Sequence, residues 1–346
     1  MKVACSPRVV VPLVLGIGII AVLLGYANVG RVLQAASAFQ PHYFLLILLL
    51  TLAYEALRAV QWLLFLRVLN HRKAWRGCLM SFMGGEMAKV LPGGQYFQTY
   101  LLRQAHGVPV ARSAAATTII IWLEVATCLV AVLILGVGSW TWVRPAAAAL
   151  LLGIALLVVV VKRRPLSSRV LMASRRRPRL RAVSAWYAGF IGSADSLLCP
   201  HALGPAAVLS AAYIAVAALE LWAIAAALGL HGIGFTQALV VYAFALGAGL
   251  IIPVPIDLGL TELSGLAALM AFGVPRADAL TVMLLQRLVS STLTGGISLA
   301  GLAVLRRHVA AALQTRHWPT SSRVRPVARR AELRGTASAR RPVCGE

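Results

Sequence analysis

Ten ionisable side chains stand inside stretches of this 346-residue chain that are otherwise apolar enough for the interior of a bilayer. They are Glu55 and Arg58 in "LTLAYEALRAVQWLLFL", Glu86 and Lys89 in "MSFMGGEMAKVLPGG", Arg103 in "YLLRQ", Glu124 in "IIIWLEVATCL", Glu220 in "AALELWAIAAAL", Asp257 and Glu262 in "PVPIDLGLTEL", and Arg287 in "MLLQRLVSS". Charge at membrane depth is costly, so such groups face a bundle interior or a watery cavity, where they pair with one another or meet a polar substrate. Arginine and lysine offer recognition of phosphate or carboxylate. The carboxylates compete for those cations or titrate.

Spacing limits which of these groups can meet. Glu55, Arg58 and Trp62 share one helical face, and Glu55 and Arg58, three residues apart, either neutralise each other or meet a ligand. Glu86 and Lys89 have the same spacing and the same two readings. The polar run Gln95, Tyr96, Gln98, Thr99 and Tyr100 faces something wet, with Arg103 in reach of a phosphate. Glu124 and Glu220 have no basic neighbour in sequence, so each pairs with Arg58 or Lys89 across helices or serves as a proton relay. Asp257 and Glu262 are expected to face Arg287, the arginine inside the last span. A carboxylate holds it at rest, and an anionic headgroup competes for it during function.

Catalytic signatures are missing. The chain contains no H-E-x-x-H, G-x-S-x-G, P-loop or D-x-D, and its glycine-rich breaks do not precede the strands of a nucleotide fold. The histidines lie mostly in loops and the tail, and Cys5, Cys78, Cys128, Cys199 and Cys344 are scattered without metal-binding spacing. The expectation is a protein that is not an enzyme and that carries no metal or cofactor.

The elements that must position these groups are transmembrane helices. The chain is 60% hydrophobic and 12% charged, about half the charge of a soluble domain, and its mean hydropathy is +0.83. Full spans are expected over residues 9–27, 42–69, 112–138, 145–161, 206–229 and 279–305, each near the length that crosses a bilayer. The first is a retained helix and not a cleaved signal, since no small-x-small site follows it. Net charge is +23, concentrated as nine Lys and Arg between Lys162 and Arg181 and ten Arg from Arg306 onward. Basic clusters beside spans mark the cytoplasmic side and lie near anionic headgroups, so they argue for lipid and against nucleic acid as the partner. This gives a transmembrane domain over residues 1–307 with a basic cytoplasmic loop at 162–182. A basic cytoplasmic tail, expected to be disordered, follows at 308–346. Both termini are expected on the cytoplasmic side of the inner membrane. Residues 183–204 read as an interfacial segment.

Parity leaves two segments that begin and end on one side. Residues 77–103 are too short for two spans and carry a break at Pro92, Gly93 and Gly94. Residues 237–273 carry a second break at Pro253, Pro255 and Gly259. Both read as re-entrant hairpins, the first entering from the cytoplasm and the second from outside. Irregular backbone at that depth is tolerated where it faces protein or a water-filled cavity. "HGVPVARSAAATTIII" and "FGVPRADALTVMLLQR" follow the two hairpins with a shared Gly-Val-Pro, a basic residue and an apolar helix. The fold class expected is therefore an all-α polytopic membrane protein of about six full spans plus two re-entrant helical hairpins, arranged as an inverted repeat.

The stretch "PVPIDLGLTELSGLAALMAFGVPRADALTVMLLQRLVSS" resembles a Pro-x-Pro-Gly-Gly-x-Gly-x-x-Glu motif followed by a helical arginine. That pattern is typical of the lysylphosphatidylglycerol synthase transmembrane-region family, which are flippase-like membrane proteins. Pro253, Pro255, Gly259, Glu262 and Arg287 occupy its positions, while Ile256 and Asp257 replace the Gly-Gly pair. "ALRAVQWLLFL" is similar to the family's Arg-x-x-x-Trp, here Arg58 and Trp62. "AKVLPGGQYFQTYLLRQ" is similar to its Leu-Pro-x-x-x-Gly-Glu-x-x-Arg segment, with Gln98 near the position of the acid. The resemblance covers residues 10–305. It implies a flippase-like protein that translocates or binds an anionic or polyprenyl-linked lipid headgroup. Arg58, Lys89, Arg103 and Arg287 would hold phosphate, with Glu86, Glu124, Asp257 and Glu262 as competitors or titrating groups. Members that synthesise aminoacyl-lipids carry a large soluble domain after the membrane part, and the short basic tail here does not imply that activity. The rival class of function is a non-transporting membrane partner or scaffold of a lipid-modifying enzyme or glycosyltransferase, and a third class, an intramembrane lipid transferase, is disfavoured by the missing catalytic motifs.

Overall fold

The computed structural model describes residues 29–69, 75–88, 94–137, 140–162, 181–251 and 259–314, together with Val22 and Gly25. Those residues form eleven α-helices and a short 3-10 turn, with no strand among them. The helices are α1 (Val29–Ser37), α2 (Tyr43–Val68), α3 (Trp75–Ala88), α4 (Phe97–His106), α5 (Val110–Leu135), α6 (Val143–Lys162), α7 (Arg181–Leu197), α8 (Pro200–Ala227), α9 (Phe235–Ile251), α10 (Leu260–Ala271) and α11 (Arg276–Gln314). The 3-10 turn, Gly94–Tyr96, precedes α4. The all-α polytopic expectation holds. The helices α2, α5 and α8 are each long and apolar enough to cross a membrane. All of the expected first span at 9–27 except Val22 and Gly25, most of the basic loop and most of the tail lie outside the described residues.

Several boundaries differ from the sequence expectation, among them that of α11, which continues to Gln314, past the expected span end at 305 and into the segment expected to be disordered. Residues 31–41 fall between the first two expected spans, where no helix is expected. They instead contain most of α1, whose Val32 carbonyl accepts a hydrogen bond from Thr281 Oγ1 of α11 at 3.4 Å. The last membrane segment before the second hairpin begins at Pro200, where 206 was expected. Proline at the first helical position loses no intrahelical bond and presets the helical φ, so α8 starts there and carries Pro205 within it. The preceding α7 shows both sides of its expected interfacial character. Trp186 is exposed and stacks on Phe190 at 5.4 Å, while Ser193, Ala194 and Leu197 turn into the core.

The helices α2 and α8 run antiparallel over their whole length. Gln40 N donates to Ala227 O at 2.9 Å, the Tyr54 and Tyr213 rings meet edge-on at 5.7 Å, and Gln61 Nε2 donates to Ala206 O at 2.9 Å. Residue numbers fall on one helix as they rise on the other, and the sum of each contacting pair stays at 267. The close approach rests on small residues, since Ala206, Ala217 and Ala218 of α8 are buried. In lipid, association depends on packing of this kind rather than on removing apolar surface from water. Outward, Leu45, Leu49, Leu52, Leu152 and Val208 are exposed as a lipid-facing surface requires.

The apolar core is split. One cluster gathers Ile47, Val125, Leu129, Tyr213, Leu221, Ile224, Leu269 and Leu280. The other gathers Ala59, Trp62, Phe65, Phe82, Leu102, Ile120, Leu197 and Ala206. Along α5 the division falls between Ile120 and Val125, and along α2 it falls just before Ala59. Glu124 and Arg58 stand at those divisions. A polar layer therefore separates two apolar blocks.

The helices α3 and α4 pack as the two arms of the first hairpin, and α9 and α10 pack as the arms of the second. Both hairpins also meet α11, through α3 and α10 respectively. Close approach in the first hairpin depends on Gly85. A Cβ there would stand 2.7 Å from Gln98 Cβ on the other arm. Gly85→Leu is expected to force the arms apart and to cost roughly 1–3 kcal/mol, the usual range for overpacking. The shift in thermal midpoint of the detergent-purified protein measures this, and Gly84→Ala should show less, since only the flexible Leu101 tip lies against Gly84.

Candidate functional site

The polar layer opens into a cavity of about 240 Å³. A single water needs roughly 10–15 Å³ by this kind of measure, so the space accommodates a small polar group with its hydration. Its walls come from both hairpins and from α2, α5, α8 and α11. Helical periodicity builds each wall. Thr51, Glu55 and Arg58 follow one face of α2, and Met283, Arg287, Ser290 and Thr294 follow one face of α11. Arg287 lies eleven residues from the start of α11, so it stands roughly 16 Å along the axis at 1.5 Å per residue. That is about half the thickness of a bilayer's hydrocarbon core.

Arg58 is the centre of the site. Its Nη2 lies 3.2 Å from Glu124 Oε1 of α5 and 4.0 Å from Glu86 Oε1 of α3, and its side chain is only 10% exposed. Nη1 donates to the Tyr54 hydroxyl at 2.7 Å, and the guanidinium also lies 5.7 Å from the Tyr213 ring centroid. The nearest acid in sequence, Glu55, takes a hydrogen bond from Thr294 Oγ1 of α11 at 2.8 Å. Glu220 of α8 takes one from Ser290 Oγ, one turn earlier on α11, also at 2.8 Å.

The second ion pair joins the other hairpin to α11. Arg287 Nε lies 3.5 Å from Glu262 Oε1. Glu262 Oε2 turns back to accept the Gly259 backbone N–H at 2.6 Å, so this carboxylate also satisfies a free donor at the start of α10. Gly259 has φ +92°, a conformation that a Cβ strains, which is why glycine occupies this hairpin tip. Glu262 is 1% exposed while the Arg287 side chain is 35% exposed, so the cation is the more accessible member of the pair.

A smaller cavity of about 20 Å³ adjoins the first and shares Arg58, Glu86 and Gln95 with it. It is lined by Gln98 and Thr117, whose side chains meet at 2.9 Å. Thr117 lies seven residues into α5, and Glu220 lies seven residues before the end of α8. Polar groups therefore line a path that begins roughly 10 Å from one end of the bundle and finishes a similar distance from the other.

Of the residues singled out in sequence, Glu55, Arg58, Glu86, Gln95, Glu124, Glu220, Glu262 and Arg287 converge on this cavity. Arg103 does not. It lies exposed in the last turn of α4, away from the cavity lining. Lys89, Pro92, Gly93, Pro253, Pro255 and Asp257 lie outside the described residues. Gly94 opens the 3-10 turn and is buried. Sequence spacing did not single out Thr51, Tyr54, Thr261, Gln286, Ser290 or Thr294, which also line the cavity. A polar stripe in register with Arg287 was the available signal for the α11 residues.

A family model described as the lysylphosphatidylglycerol synthase TM region matches residues 10–297. No curated protein and no solved structure matches the chain.

Proposed function

From the premise that the chain belongs to the lysylphosphatidylglycerol synthase TM region family of integral membrane proteins, we propose that it is a lipid flippase-like protein. Its cavity takes the anionic headgroup of a phospholipid or polyprenyl-linked lipid while the hydrocarbon chains stay in the bilayer. One observation carries this reading. Two guanidiniums at membrane depth, Arg58 and Arg287, are each held by carboxylates on a different hairpin or helix, around a single polar cavity.

A phosphate brings the same bidentate chemistry as a carboxylate. It exchanges for Glu124 or Glu86 at Arg58 and for Glu262 at Arg287. Movement of the two hairpins against the bundle would expose the cavity to each leaflet in turn, as in transporters built from opposed re-entrant elements. In this reading the basic loop and tail lie on the cytoplasmic side of the inner membrane, where they hold anionic headgroups near the entrance.

The test is translocation by the purified full chain in phosphatidylcholine vesicles that carry acyl-labelled phosphatidylglycerol. Quenching from outside by dithionite is expected to proceed beyond the outer leaflet at a rate well above that of protein-free vesicles. A rate equal to the protein-free control, with a stoichiometric enzyme co-purifying from the native membrane, would replace this reading with that of a scaffold.

A further inference from the structure

Glu220 has no role in the headgroup chemistry above, yet it is built into the same cavity. It is 3% exposed, and Ser290, a neutral group, donates to its carboxylate. Among the described residues α2, α5, α9 and α11 pack against α8, and the charged and titratable groups they bring to the cavity lining are Tyr54, Glu55 and Arg58 from α2, Glu124 from α5, Tyr242 from α9 and Arg287 from α11, with Cys128 of α5 in the adjoining apolar core. Tyr213 of α8 itself lies on the same side. The two guanidiniums are engaged elsewhere, Arg58 by Glu124 and Glu86 and Arg287 by Glu262. Glu55, another acid, lines the same wall of the cavity and is held by Thr294, one turn along α11 from the Ser290 that holds Glu220.

A buried carboxylate whose neighbours are the neutral hydroxyls of Ser290 and Thr51 and another acid, with no guanidinium of its own among the described residues, is poorly solvated as an anion, and such groups take up a proton instead. The lining supports this from a second direction. Among its described residues, Glu55, Glu86, Glu124, Glu220 and Glu262 face Arg58 and Arg287. An arriving phosphate adds negative charge to a space that already holds more acids than guanidiniums.

We infer that Glu220 is a proton-binding residue of the cavity and that the headgroup is taken up together with a proton. Water on one face supplies the proton, an O–H bond forms on the Glu220 carboxylate to give the neutral acid, and the proton returns to water on the other face as the headgroup leaves. Ser290 positions the carboxyl group by donating to the oxygen that remains an acceptor. The placement suits this role. Glu220 lies toward the end of the bundle opposite Thr117 and Gln98, with Arg58 between them. The inference rests on the headgroup reading for its coupling step, but the proton site itself stands apart from it.

The experiment has two arms. Infrared spectroscopy of the full chain in phosphatidylcholine nanodiscs reads the protonated carboxyl band as pH is varied. The band is expected in the parent protein, lost in Glu220→Gln and shifted in frequency in Ser290→Ala. A band unchanged by Glu220→Gln overturns the proton site. In the second arm, acyl-labelled phosphatidylglycerol is followed in vesicles with and without a transmembrane pH gradient. Uptake of one proton per headgroup makes binding up to about tenfold stronger for each unit fall in pH. The parent protein should therefore respond to the gradient and Glu220→Gln should not, with Glu220→Asp restoring part of the response. An equal response in parent and Glu220→Gln overturns the coupling. If the parent protein moves no lipid under any gradient, the transport reading falls and the infrared band alone decides the proton site.

Discussion

Arg58→Ala is expected to destabilise the protein by roughly 3–5 kcal/mol, the range found when one partner of a buried ion pair is removed. The large cost comes from what remains. Glu124, 3% exposed, and Glu86, likewise buried, face each other across the space that the guanidinium occupied. The Tyr54 hydroxyl loses its donor as well. Against a total stability of about 5–15 kcal/mol, this is a large fraction. A fall in thermal midpoint of the purified protein measures it.

The double variant Arg58→Ala with Glu124→Gln provides the internal control. If the penalty is uncompensated charge, the double variant is more stable than Arg58→Ala alone, a coupling that a double-mutant cycle isolates. Equal loss in both would point to lost packing around Tyr54 and Tyr213 instead. Arg58→Lys separates stability from function. It keeps the charge beside Glu124 but lacks the planar fork that matches a phosphate, so headgroup binding falls further than stability does.

Glu262 gives the second large effect, and its two oxygens allow it to be divided. Glu262→Gln keeps an oxygen for the Gly259 N–H and removes the charge that holds Arg287. Its stability should stay within about 1 kcal/mol of the parent, because the Arg287 side chain is partly exposed and its ion pair is screened. Lipid movement is expected to fall by on the order of tenfold or more, equivalent to about 1.4 kcal/mol. An Arg287 released from its carboxylate binds phosphate without giving it up. Glu262→Ala loses the bond at the start of α10 as well and should cost a further ~1 kcal/mol, as for other lost helix caps. Vesicle quenching and thermal midpoints together settle the division. Normal movement in Glu262→Gln would remove Glu262 and Arg287 from the headgroup site.

Much of this architecture was legible in the sequence because bilayer insertion constrains a chain so strongly. Runs such as Val110–Leu135 have to be helical in lipid to satisfy their backbone, so length and hydropathy alone located α2 and α5. The pairing of α3 with α4 and of α9 with α10 was legible for a related reason, since each pair comes from a segment too short to cross twice, although the breaks expected at Pro92 and Pro253 lie outside the described residues. The start of α8 was not. Hydropathy blurs a boundary at which Pro200 opens the helix only a few residues after α7 ends.

Partnerships followed a different rule. Spacing put Glu55 on the same face as Arg58, and one helix turn is as far as that argument reaches. The folded chain adds Glu124 and Glu86 to Arg58, gives Thr294 to Glu55 and gives Ser290 to Glu220. Glu220 and Ser290 are seventy residues apart. The sequence by itself determined that this is a helical membrane protein and that ionisable side chains stand within its apolar segments. The Glu262–Arg287 pair was already expected from sequence, whereas only the tertiary structure decided which acids answer Arg58 and that Arg103 stands apart. The physical reason is that hydropathy and backbone chemistry act on each segment alone, whereas an ion pair depends on which faces of separate helices are turned toward each other by packing.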